Sequence, residues 1–193
     1  MVLVHHQPHH QPTTSGSGSL LERADLSHPI PENARKLAQL VEYDESRVEM
    51  GTHSVFVREA RPPGAHYAKA TVLFLHGQKT LGLKQVMVVS ASMSAQFVLP
   101  LMTSSRHLSC VVLVAPSNTH EVLNPSSYVV PTLVLWGERD TSLGPTAAAN
   151  LKNLPTVKLQ KIPDAGHACY LHNPKCFENL CVNFFDLIRS YHH

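Results

Sequence analysis

The sequence predicts an α/β layered fold, a mostly parallel β-sheet with helices on its faces. Three observations predict it. Apolar strand-like runs alternate with helical patterns along most of the chain, as in strands joined by crossover helices. The runs at 70–75, 86–89, 110–115 and 132–136 are apolar almost throughout, which suits strands covered on both sides. Serine, aspartate and histidine candidates stand just past the ends of predicted strands, where a parallel sheet gathers its loops.

Composition sets the limits. The chain has 193 residues, 43% of them hydrophobic, enough for one domain with a real core. The formal net charge is +2, and no Lys/Arg cluster interleaves with aromatics, so nucleic acid is not an expected partner. No apolar run approaches 18 residues, so no membrane span is expected. The N-terminus lacks a basic stretch followed by an apolar one, so no secretory signal is expected. Cys110, Cys169, Cys176 and Cys181 show no Cys-x-x-Cys spacing. They read as free thiols in a reducing compartment, and the expected location is the cytoplasm. No cofactor and no metal is expected.

In chain order, residues 1–45 read as a low-complexity tail with one short helix, and 46–190 as the folded domain. Residues 1–19 are rich in His, Pro, Ser and Gly and are expected to be disordered. His5, His6, His9 and His10 lie there and read as solvated rather than as metal ligands. Pro31 begins the short helix, with Leu37, Leu40 and Val41 at helical spacing. Residues 46–60 read as a hairpin turning at Gly51-Thr52-His53. The run 70–75 is a buried strand ending in His76-Gly77, and 86–90 is a second. A helix over 93–106 follows, which Pro100 must kink or end. After the strand at 110–115, residues 117–130 form a loop too short for a lid domain. The strand 132–136 leads into Gly137-Glu138-Arg139-Asp140. A helix over 147–154, a strand over 157–162 and the loop Asp164-Ala165-Gly166-His167 come next. Phe177, Leu180, Cys181, Phe184, Leu187 and Ile188 mark an amphipathic terminal helix.

The stretch Val86-Met87-Val88-Val89-Ser90-Ala91-Ser92-Met93-Ser94-Ala95 carries the chemistry. A strand stops, small residues alternate, and a helix begins, with Ser92 at the tip of the turn. It resembles the nucleophile elbow of α/β-hydrolases, usually Gly-x-Ser-x-Gly. Ser90 and Ser94 replace the glycines, at positions where strand and helix approach closely. The order Ser92, Asp140, His167 is the order of that class. A serine hydroxyl needs a base, histidine can serve near neutrality, and a carboxylate orients the imidazole. Asp140 is favoured as the acid by its place after a strand; Asp164 and Glu138 are its rivals. In α/β-hydrolases a backbone N–H just past the His-Gly strand faces the substrate oxygen, a position held here by Gln78. The N–H of Met93 is the second oxyanion candidate.

Four motifs narrow the resemblance: Leu73-Phe74-Leu75-His76-Gly77, Val88-Val89-Ser90-Ala91-Ser92-Met93-Ser94, Leu135-Trp136-Gly137-Glu138-Arg139-Asp140 and Ala165-Gly166-His167-Ala168-Cys169-Tyr170-Leu171-His172. They resemble the α/β-hydrolase domain-containing protein 14 family, marked by a Ser-x-Ser-x-Ser elbow. The resemblance spans about residues 46–190. It implies a Ser–Asp–His triad acting through an acyl-enzyme on an ester or amide, in a small acyl substrate or an acylated side chain. Family members carry roughly sixty more residues between Gly77 and Ser92. A parallel crossover needs about a dozen residues or more, while residues 78–82 offer five. The expected structure is therefore a truncated α/β-hydrolase fold without a lid, as in a shortened isoform. A stretched link is expected to keep strands 70–75 and 86–90 parallel. The alternative function is a catalytically impaired variant that binds a protein partner.

Overall fold

The computed structural model describes residues 19–50, 53–61, 71–75 and 86–191. In chain order the elements are α1 (Leu20–Arg23), α2 (Glu32–Ala38), β1 (Glu42–Met50), β2 (His53–Arg61), β3 (Thr71–Leu75), β4 (Val86–Ala91), α3 (Ala95–Ser104), β5 (Leu108–Val114), β6 (Thr132–Gly137), α4 (Leu143–Leu151), β7 (Val157–Ile162), α5 (Cys169–His172) and α6 (Pro174–Tyr191). The chain divides into two units.

The smaller unit includes α2, β1 and β2. Pro31 opens α2, its carbonyl accepting the N–H groups of Ala34 and Arg35 at 3.0 and 3.2 Å; a fixed φ and no N–H to satisfy suit proline to this place. The helix ends at Ala38, so Leu40 and Val41 lie beyond it, contrary to the spacing expected from sequence. Leu40 is exposed and Val41 buried. Strands β1 and β2 pair antiparallel from Glu42↔Arg61 to Met50↔His53. The hairpin thus starts four residues earlier than its alternation suggested, and the expected turn at Gly51-Thr52 lies outside the described residues.

The larger unit holds a five-stranded sheet in the order β3-β4-β5-β6-β7, parallel at every pairing. Strands β3 and β4 run in register from Thr71↔Val86 to Leu75↔Ser90, the parallel arrangement expected. The link at 76–85, with His76, Gly77 and Gln78, lies outside the described residues, as do His5, His6, His9 and His10.

Two-residue periodicity sends alternate side chains of the inner strands into two cores. Val86, Val88, Val111, Leu113, Val134 and Trp136 face one core with Val98, Leu99 and Met102 of α3 and Ala147 and Leu151 of α4. Met87, Val89, Cys110, Val112, Val114, Leu133 and Leu135 face the other. Helix α6 covers that second side with Leu180, Phe184, Phe185 and Ile188. Its first turn is capped by Asn173, whose Oδ1 accepts the Cys176 N–H at 3.2 Å, with Pro174 at the first helical position.

Helix α3 runs through Pro100 rather than ending there. The proline removes one rung of the ladder, a cost of about 3 kcal/mol. Burial of Val98, Leu99 and Met102, each at most 2% exposed, offsets it at roughly 1.5–3 kcal/mol per large side chain.

A strap formed by residues 19–28 also packs on the second core. Ser19 and Glu22 form a reciprocal cap on α1, and Leu21 and Leu26 are buried. Lys158 Nζ on β7 donates to the Glu22 and Ala24 carbonyls at 2.6 and 2.8 Å. Asn183 Nδ2 on α6 donates to those of Leu26 and His28, both at 2.8 Å.

Candidate active site

Strand β4 ends at Ala91, and Ser92 turns the chain at φ 51° before a single 3₁₀ turn leads into α3. A non-glycine residue in the left-handed region costs on the order of 1–3 kcal/mol and persists only where its surroundings hold it. Ser92 is held from the loop after β5. The Ser117 N–H donates to the Ser92 carbonyl at 3.1 Å, and Ser117 Oγ approaches the same oxygen at 3.4 Å. The backbone on either side of Ser117 is itself contorted, with Ala115 at φ 42° and Asn118 at φ 58°. Sequence reading missed Ser117. The available signal was its place just past a buried strand, at the sheet end where Ser92 also stands.

Ser90 is wholly buried, and its Oγ makes no hydrogen bond. Ser94 is half-buried at the start of α3. Met93 follows Ser92 with its side chain 70% exposed.

Ser92, Asp140 and His167 come together. Ser92 Oγ lies 3.1 Å from His167 Nε2, and His167 Nδ1 lies 3.1 Å from Asp140 Oδ2. The other oxygen of Asp140 accepts the N–H groups of Ser142 and Leu143 at 3.1 and 3.2 Å, with the Ser142 hydroxyl at 3.4 Å. Burial alone would raise the Asp140 carboxyl. The His167 hydrogen bond, helped by the backbone N–H groups of Ser142 and Gly144, outweighs it and holds the group below its ordinary 3.8. Asp140 is therefore ionised near neutrality and can only accept. His167 Nδ1 then carries a proton toward Asp140, and on a neutral ring that leaves Nε2 to accept from Ser92 Oγ–H. The Asp140 side chain is 2% exposed and that of His167 48%, so the acid is sealed and the imidazole faces solvent.

The rivals sit differently. Asp164 occupies a turn at φ 57° with its side chain 92% exposed beside Arg139. Glu138 is exposed and accepts the Asp164 N–H at 3.4 Å. Both belong to the junction between the loops after β6 and β7. That junction also carries N–H to carbonyl bonds from Glu138 to Ile162 and from Arg139 to Ala165, at 2.9 and 2.8 Å. A Cβ on Gly137 would fall 2.2 Å from the Gly166 carbonyl oxygen and 2.3 Å from that of Ala165. Only glycine lets the two loops approach this closely.

Gln78 lies outside the described residues. All four cysteines are free. Burial pushes the Cys169 thiol up to about 11 and raises Cys110, Cys176 and Cys181 as well, so these thiols are poor nucleophiles and poor metal ligands. Among the described residues no cluster of three or more His, Cys, Asp or Glu is arranged to hold a metal. No described helix is long and apolar enough to cross a membrane.

No family model matches the chain. It is 36% identical to the protein ABHD14A of Rattus norvegicus over 111 residues, 56% of this chain and 46% of the relative. It is 25% identical over 194 positions to ABHD14B of the same species, a candidate protein-lysine deacylase, covering 69% of this chain and 91% of the relative. That second match is longer than the part of this chain it covers, so about sixty of its positions have no counterpart here. The chain spans about half the length of the ABHD14A relatives it matches. Among solved structures, the carboxylesterase CesB of Bacillus subtilis superposes with a TM-score of 0.59 at 11% identity, covering 78% of this chain and 95% of the enzyme. That likeness is one of fold.

Proposed function

From its resemblance to the ABHD14 proteins and its likeness in fold to a carboxylesterase, we propose that the chain is an α/β-hydrolase, a serine hydrolase or acyltransferase working through an acyl-enzyme at Ser92. Ser92 Oγ attacks the carbonyl carbon of an ester or amide and gives its proton to His167 Nε2. Asp140 holds the imidazole in its working tautomer and stabilises the imidazolium. The oxygen of the tetrahedral intermediate turns toward the N–H of Met93; by resemblance, Gln78 supplies the second donor. As the intermediate collapses, the C–O or C–N bond breaks and the proton on His167 passes to the leaving group. Water or another nucleophile then gives its proton to His167 and takes the acyl group from Ser92, whose Oγ recovers its proton from His167 as the acyl bond breaks. The likeness to a candidate protein-lysine deacylase favours an acylated side-chain amide as the substrate class.

The observation that carries this reading is the chain of two 3.1 Å contacts from Ser92 Oγ through His167 to a buried Asp140 carboxylate. The test is labelling by a fluorophosphonate probe. The parent should label and Ser92→Ala should not, while Ser90→Ala and Ser94→Ala keep measurable labelling. Equal labelling of Ser92→Ala and the parent removes Ser92 as nucleophile.

A second reading is favoured by the absence of about sixty positions present in ABHD14B. On α3 and the turn before it, Met93, Phe97 and Leu101 are exposed by 70%, 42% and 37% at helical i, i+4, i+8 spacing. On this reading the chain is a catalytically impaired variant that binds a protein partner. A folded parent that no probe labels decides for it.

A further inference from the structure

We propose that His172 is a positioning residue for the candidate triad, holding the loop that carries His167 through the backbone of Gly166. The inference rests on the triad reading above.

His172 closes α5, outside the triad. Its ring Nδ1 accepts the Gly166 N–H at 2.9 Å, and Gly166 is the residue immediately before His167. This bond requires a neutral ring with its proton on Nε2. The next residue, Asn173, donates from Nδ2 to the Pro163 carbonyl at 3.3 Å. Two consecutive residues at the junction of α5 and α6 thus grip the β7 exit loop at two points, Pro163 and Gly166.

Gly166 is suited to this arrangement. A Cβ there would lie 3.1 Å from His172 Cε1 and 3.4 Å from Nδ1, tight enough to press the ring away. On its other side the Gly166 carbonyl abuts Gly137, whose own carbonyl accepts the Asp140 N–H at 2.9 Å. The layers therefore run from His172 through Gly166 to Gly137 and on to Asp140. Pressure or slack at His172 reaches both the base and its acid. His167 is half exposed and has little core packing of its own, so its position depends on its backbone.

His172→Ala removes the acceptor. His172→Asn keeps one, because Asn Oδ1 hangs from Cγ where the ring carries Nδ1. Gly166→Ala wedges the contact from the other side. In the full chain, His172→Ala should slow fluorophosphonate labelling by about tenfold, since a misplacement of about 1 Å can cost roughly 10²-fold. His172→Asn should recover most of the rate. Gly166→Ala should slow labelling too, and the double variant with His172→Ala should be little worse than either single change. Amide hydrogen exchange at Gly166 gives a readout independent of catalysis. Protection should fall in His172→Ala and return in His172→Asn. Unchanged labelling in His172→Ala, or a loss that His172→Asn does not restore, overturns the proposal. If the parent itself does not label, the hydrolase reading fails separately. Positioning is then judged by the Gly166 amide and the His167 ring ¹⁵N shifts, and if neither moves in His172→Ala it is refuted.

Discussion

Gly137→Ala is the sharpest single perturbation of this site. The added Cβ would meet the Gly166 oxygen at 2.2 Å, the Ala165 oxygen at 2.3 Å and the Ala165 carbonyl carbon at 2.5 Å. All three are backbone atoms, so no side chain can rotate out of the way. Restoring ordinary contact near 3.4 Å requires segment 165–166 to retreat by about 1 Å. Overpacking of this kind costs about 1–3 kcal/mol, and rigid neighbours put this site near the upper end. For a domain of this size about 3 kcal/mol lowers Tm by roughly 10 °C. The same retreat carries His167 away from Asp140, and displacement on that scale can cost about 10²-fold in rate. Thermal melting and fluorophosphonate labelling report the two effects separately. A Gly137→Ala variant that melts within about 2 °C of the parent and labels at an undiminished rate would refute the packing argument.

Two further perturbations probe the acid and the elbow. Asp140 lies below its ordinary 3.8 when folded, so its charge stabilises the fold fully above that value, and the contribution is lost as pH falls through the lowered one. Asp140→Asn should flatten the acid limb of stability against pH and slow labelling at neutral pH by about 10²-fold or more; an unchanged acid limb or an unchanged rate contradicts this. Ser90 buries a hydroxyl without a partner, so Ser90→Ala should stabilise by about 1 kcal/mol, seen as a higher Tm, and a lower Tm contradicts this.

The sheet was legible because its strands are written twice, once as apolar runs and once as chemistry at their ends. Valines and leucines at 110–114 and 132–135 can only be buried on both faces, and two-sided burial implies parallel pairing with crossovers. Chain order singled out Ser92, Asp140 and His167 as candidates, and His167 lies within hydrogen-bond reach of each of the other two. What stayed hidden depends on contacts across the fold. Pro100 carries a strong local penalty, but the burial of its helix neighbours decides the outcome. Leu21 and Leu26 sit in a stretch too short and polar to announce a core role; they gain it from Lys158 and Asn183, distant in the chain. Ser117 and His172 act on the site through backbone groups of Ser92 and Gly166, and such bonds leave no motif.

The strap at 19–28 has a consequence for the order of events in folding. Its four side-chain bonds to β7 and α6 join residues 134 to 157 positions apart, whereas its internal bonds are local and exposed: the capped turn of α1 and the Asp25 carboxylate accepting from Ser27. The entropy of closing so large a loop must be overcome before any of these bonds helps. The strap therefore docks onto a sheet already formed and releases before strands β4–β7 do. Limited proteolysis under native conditions should nick residues 22–28 before any bond within β4–β7, and native-state exchange should show the amides of Arg23 and Ala24 opening at a free energy well below that of the sheet. With the strap released, Leu21 and Leu26 leave the second core while α6 stays in place.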